Sequence, residues 1–152
     1  MPKIDIETAR QRTGSSYPPP LDQPCAERVR RRLGDAGALT DFGVNLLELP
    51  PGAWSSQRHW HSAEDEFVWV LEGEVTLIDD DGEHLLCAGE CAAFPKGDAN
   101  GHHLVNRSSA SARCLEIGSR RPAEDACDYP DIDLHIGPGR DAGYTHKDGT
   151  GY

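Results

Sequence analysis

The sequence predicts an all-β fold, a sandwich or barrel, and three observations carry that reading. From Cys25 onward short apolar runs recur, among them GVNLLELPPG, EFVWVLEG, HLLCAGE, CAAFPKG, HHLVNRS and ARCLEIGS, each bounded by Gly, Pro, Asn or Asp. Regularly spaced short strands with turn signals are the pattern of such folds. The segment EVTLIDDDGEHLLC reads as a hairpin, because Asp81-Gly82 offers the φ > 0 conformations that a tight turn demands. No stretch sustains a helical period.

The chain has 152 residues and a mass of 16.6 kDa, which is enough for one domain with a real core and too little for two. Residues 1–24 contain YPPPLDQP, whose consecutive prolines neither continue a helix nor donate to a sheet ladder, so they are expected to form an N-terminal arm. Residues 25–118 hold the strand pattern. Residues 119–152 turn irregular and are expected to pack on the barrel as a tail, with Tyr129, Ile132, Leu134, Ile136 and Tyr144 available to cover a sheet face.

Hydrophobic residues make up 37% of the chain and charged residues 27%, the balance of a globular protein, and no apolar run reaches the roughly 20 residues of a membrane span. The opening MPKIDIETARQRTGSS lacks the apolar stretch of a secretory signal, which makes a cytoplasmic location the expectation. Five cysteines without CxxC spacing indicate reduced thiols, neither a disulfide framework nor a thiolate zinc site. A formal charge of −11 disfavours nucleic acid as a partner. The one basic run, ERVRRRL, puts Arg28, Arg30 and Arg32 on one side of an extended strand and reads as a solvated edge that discourages strand-to-strand association.

Chemistry concentrates in two segments. His59 and His61 are two apart, so in a strand both imidazoles project from one face. Glu66 has the opposite parity and needs a bend across Ser62 to Asp65 to join them. A further histidine, His102 or His103, begins a strand after a Gly/Pro-rich turn and offers a fourth ligand. Neutral imidazoles with a carboxylate suit one divalent transition-metal ion and leave positions open for water or substrate.

These segments resemble the paired motifs of the cupin superfamily. The first motif's Gly, His-x-His, Glu and Gly fall on Gly52, His59, His61, Glu66 and Gly73, and the second's Gly, Pro-x-Gly, His and Asn fall on Gly89, Pro95, Gly97, His102 and Asn106. The resemblance spans about residues 40–118. It implies a double-stranded β-helix, or jelly roll, with His59, His61, Glu66 and His102 holding one divalent ion such as Fe, Mn, Ni or Zn. The spacing to Asn106 selects His102 over His103, and strand alternation then turns His103 and Val105 outward.

On the strand after Glu66, Val68 and Val70 should face the lumen, while Phe67, Trp69 and Leu71 face outward and need a cover, either the arm or a second subunit. Cupins are often dimers, so a homodimer is expected. Val68, Phe94 and Leu104 are expected to line the cavity, with Trp54, Gln57 and Arg58 near its mouth, and Arg58 available to a substrate carboxylate. So apolar a lining suits a small organic acid or ketone better than a phosphorylated sugar. The expected function is a metal-dependent enzyme on a chelating substrate, with Glu66 in catalysis and an oxygenase ahead of a lyase or isomerase. A non-catalytic metal- or ligand-binding barrel is the alternative, favoured if no general acid or base beyond Glu66 enters the lumen from Glu48, Glu116 or Tyr129.

Overall fold

In the computed structural model, which describes residues 3–139 and 141–152, the chain is built from strands and short turns of helix. The strands are β1 (Gln11–Thr13), β2 (Val29–Arg32), β3 (Phe42–Leu49), β4 (Trp60–His61), β5 (Glu66–Glu72), β6 (Glu74–Asp79), β7 (Gly82–Cys87), β8 (Cys91–Phe94), β9 (His103–Val105), β10 (Ala112–Ser119), β11 (Cys127–Tyr129), β12 (Leu134–Ile136) and β13 (Tyr144–Thr145). The α-helix Leu33–Ala36 is a single turn. No helix among the described residues is long and apolar enough to cross a membrane.

Three antiparallel sheets result, in the orders β1-β2-β3-β10-β5-β8, β7-β6-β9 and β13-β12-β11-β4. The inner face of the first sheet packs on the second. Leu47, Leu49, Val68, Val70 and Cys114 meet Val75, Leu77 and Leu104 there, and Leu47, Leu49 and Val70 are wholly buried. Truncating such a leucine to alanine costs about 2–5 kcal/mol. Gly73, at φ 75°, makes the turn between the two sheets, where a Cβ would sit 3.1 Å from the Ala112 backbone. The β6–β7 hairpin closes with Asp80-Asp81 between Asp79 and Gly82. Gly82 alone takes a positive φ, 125°, while Asp79 Oδ1 accepts from the amides of Asp81 and Gly82 at 2.9 and 3.1 Å. The turn is thus centred on Asp80-Asp81, one residue earlier than Asp81-Gly82, and Asp81 does not take the positive φ expected of it.

The terminal segments enter the sheets. Residues 11–13 add β1 to the six-stranded sheet, and β11 to β13 pair with β4 to form the third. Tyr17, Cys25, Cys127, Tyr129 and Leu134 make a second core between them.

Strand β2 lies between β1 and β3, so the Arg28–Arg32 run is not an exposed edge as its sequence suggested. The register decides where its side chains point. Arg12 opposes Arg30, Arg30 opposes Leu47, and Arg32 opposes Asn45, which opposes Glu116. Leu47 is on the buried inner face, so these arginines share that face. Alternation puts Leu46, Leu115 and Trp69 in one outer row and Val44, Ile117 and Phe67 in the next. Because β1 extends the sheet sideways, it does not cover this face, and Trp69 and Leu71 are each 46% exposed.

Candidate metal centre and its basic wall

Backbone pairing brings the two histidine segments together. The amide of His102 donates to the His59 carbonyl at 2.9 Å, and that of His59 donates back at 3.2 Å. Strand β4 ends at His61, the chain bends through Ser62–Asp65, and β5 begins at Glu66, which pairs with Phe94 and Gly118. The bend corrects the parity of Glu66.

Three imidazole nitrogens then surround one carboxylate oxygen. Glu66 Oε2 lies 3.0 Å from His102 Nε2, 3.5 Å from His59 Nε2 and 3.6 Å from His61 Nε2. The far sides of two rings are fixed. His59 Nδ1 is 2.9 Å from the Gln57 carbonyl, and His61 Nδ1 is 2.6 Å from Asp125 Oδ2, so each Nδ1–H donates outward and its Nε2 lone pair turns inward. Asp125 is held in turn by the Ala63 amide at 2.8 Å. Lone pairs converging on a carboxylate repel one another unless a cation lies among them. The donor set therefore fits a divalent ion held by His59, His61, Glu66 and His102.

Burial alone would raise the Glu66 carboxyl, but the neighbouring His102, His59 and His61 imidazoles hold it well below the usual range. Burial pulls His61 down, and Asp125 and Glu66 more than reverse this. His102 is lowered, chiefly by burial. Cys127 is also within ligand reach of His59 and His61, yet burial raises its thiol far above the ordinary value, which disfavours the thiolate a metal would need. His103 instead packs edge-on against Trp54, with ring centroids 4.6 Å apart, and its Nδ1 lies 3.0 Å from the Ser56 carbonyl. Phe94 stacks on His102 at 3.5 Å, and Tyr129 on His59 at 5.8 Å.

The four nitrogen and oxygen donors border a cavity of about 270 Å³. Val68, Phe94 and Leu104 line it. Trp54 and Arg58 do not. Trp54 packs into the second core, and Arg58 is committed to Asp131 by paired bonds of 2.7 Å, to Asp80 and to the Gly101 carbonyl. With its donors occupied by acidic and carbonyl partners outside the cavity, Arg58 is not placed to meet a substrate. Gln57 is likewise buried, donating to the Leu21 carbonyl at 2.7 Å.

The rest of the lining overturns the expectation of an apolar cavity. Arg12, Arg28, Arg30 and Arg32 all border the cavity, together with Glu116. Arg30 is ion-paired with Glu116: Nη2 donates to Oε1 at 2.7 Å, and Nε lies 2.7 Å from Oε2. Spacing along β2 foretold that three arginines share a face but not which face. Asp125 sits in the irregular tail, 64 positions from its partner, and carries no local signal. Glu48, by contrast, lies toward Arg113 on the outside.

The cupin domain family model matches residues 45–118. A crystal structure of a sugar phosphate isomerase from a cupin superfamily, from Silicibacter pomeroyi, is 47% identical, with a TM-score of 0.93 over 99% of this chain and 96% of that one. A protein of Acidithiobacillus ferrooxidans, proposed to be a sugar phosphate isomerase, is 30% identical with a TM-score of 0.75, over 81% of this chain and 78% of its own. The polyketide cyclase RemF of Streptomyces resistomycificus, 18% identical with a TM-score of 0.60 over 78% of this chain and 79% of its own, shares the fold alone. No curated protein sequence matches. The chain belongs to the cupin superfamily.

Proposed function

We propose that the protein is a metal-dependent isomerase of a small phosphorylated sugar. One observation carries this reading: four arginines and the donors His59, His61, Glu66 and His102 line one cavity. An anionic substrate with vicinal oxygens matches both ends, and the two neighbours linked to sugar phosphate isomerisation add support. A divalent ion at His59, His61, Glu66 and His102 would supply Lewis acidity to carbonyl and hydroxyl oxygens. The arginine wall would bind and orient the anionic end.

Aldose–ketose interconversion moves one proton between adjacent carbons and one between their oxygens, with no net loss or gain. Glu116 is the cavity carboxylate outside the imidazole cluster, and in this reading it carries the carbon proton while Arg30 fixes its orientation. The oxygenase expectation was tied to an apolar substrate, and the basic wall removes that support. Proton NMR in D₂O, with aldose and ketose phosphates and protein loaded with Mn, Fe, Ni or Zn, tests the proposal. Interconversion with deuterium entering at the carbon beside the carbonyl is expected. Binding without exchange under any metal would instead favour a non-catalytic barrel.

The outer rows Leu46–Leu115–Trp69 and Val44–Ile117–Phe67 support a homodimer formed by this face. Trp69→Asp is expected to halve the mass seen by light scattering at micromolar concentration; a monomeric parent protein would end the dimer proposal. A cytoplasmic location belongs to the same proposal, supported by five free cysteines.

A further inference from the structure

We infer that the arginine end of the cavity is a phosphate subsite with Arg28 as its central ligand and Arg12 beside it. The inference rests on the phosphorylated-substrate reading and assigns the residues that would recognise it.

Arg28 differs from its neighbours. Arg30 has Glu116, and Arg32 lies 3.6 Å from Asp35, whereas Arg28 has no carboxylate partner among the described residues. It is only 7% exposed, and its Nη1 has no hydrogen-bond partner. A buried cation without a counter-charge is costly. On a chain whose formal charge is −11, leaving one unpaired beside a cavity points to an anion that completes it. Burial, and then the charge of Arg30, push the Arg28 guanidinium down, the direction an incoming anion would reverse.

The residue is also held still. Arg28 Nε donates to the Gly14 carbonyl at 3.1 Å, while the Gly14 amide donates to the Arg28 carbonyl at 2.9 Å. Gly14, at φ 77°, lets the arm turn here, so Arg12, Ser16 and Tyr17 reach the same cavity wall. A planar carboxylate is satisfied by one guanidinium fork. A tetrahedral phosphate takes donors from several directions, which is what two arginines on separate segments and nearby hydroxyls present.

Calorimetry with inorganic phosphate at fixed ionic strength tests the assignment, on metal-loaded and on chelator-treated protein. Phosphate is expected to bind both forms, at least tenfold more weakly in Arg28→Gln and severalfold more weakly in Arg12→Ala, and acetate should not displace it. Unchanged phosphate affinity in a folded Arg28→Gln would overturn the proposal. So would complete loss of binding on chelation, which would put the phosphate on the metal, or displacement by acetate, which would make this a carboxylate site. If Arg28→Gln melts early through loss of the Gly14 bond, Arg28→Lys and the exposed Arg12→Ala decide, and unchanged affinity in both counts against the subsite. Phosphate binding that obeys these expectations without isomerisation would sink the functional reading and leave the subsite standing.

Discussion

The histidine end of the cavity is encoded in two local motifs, whereas the arginine end is assembled by strand register from segments that share none. His59, His61 and Glu66 fall within eight consecutive residues, and a single bend orients them. Arg12, Arg30 and Glu116 come from β1, β2 and β10, and face one another because of how those strands align. Donor chemistry is therefore readable from spacing along the chain. The charge of the rest of the lining depends on which face of a strand is buried, and only the sheet order decides that.

Substitutions can disable either end of the cavity separately. The largest effect is expected from His59→Ala with His61→Ala, which should take metal content, measured by elemental analysis, from about one ion per chain to near zero and abolish turnover. Retained turnover in that variant would separate the reaction from the metal altogether. Next, Glu116→Gln should lower kcat by about 100-fold or more while metal content is unchanged. A fall in metal content instead would mean that Glu116 serves the centre structurally. Asp125→Asn should weaken metal affinity by about 10- to 100-fold in a chelator competition, yet leave inorganic phosphate affinity on the chelator-treated protein as it was. Equal damage to both would show that the two ends are not separable.

The smallest effect is expected outside both ends. Arg58→Ala should leave KM unchanged and cost at most about 1 kcal/mol, because Asp131 and Asp80 are more than half exposed and solvent screens the pairs. Arg58 holds the Asp131 carboxyl below its ordinary value, so the pair's contribution is present above the unfolded carboxyl's pKa and fades as pH falls through the lowered folded one. Thermal melts of the two proteins should accordingly converge in acid. A raised KM would restore Arg58 to the cavity.

Much of the fold was legible because alternation and turn residues act locally. The outward Trp69 and Leu71 and the buried Val68 and Val70 follow from parity alone. Motif spacing selects His102, whose Nε2 lies 3.0 Å from Glu66 Oε2, but alternation misplaces its neighbours: His103 and Val105 are buried instead of facing outward, and His103 packs on Trp54 at the cavity. Register-dependent features were not legible. ERVRRRL looked like an edge because nothing in it reveals that residues 11–13 will pair outside it. Asp125 was invisible since its link to His61 depends on the β4–β11 pairing of Cys127 with His61. Arg58 immediately precedes the His-x-His pair, but Asp131, 73 positions away, holds it outside the cavity.

In the proposed complex one small substrate spans both ends, with its oxygens at the histidine cluster and its phosphate at Arg28. Phosphorus relaxation in Mn-loaded protein titrated with a sugar phosphate tests this most directly. Enhancement of the kind produced by a phosphate near the metal but not bonded to it is expected, and its loss in Arg28→Gln. Enhancement at the level of direct coordination, or one unchanged by Arg28→Gln, would contradict the proposed complex.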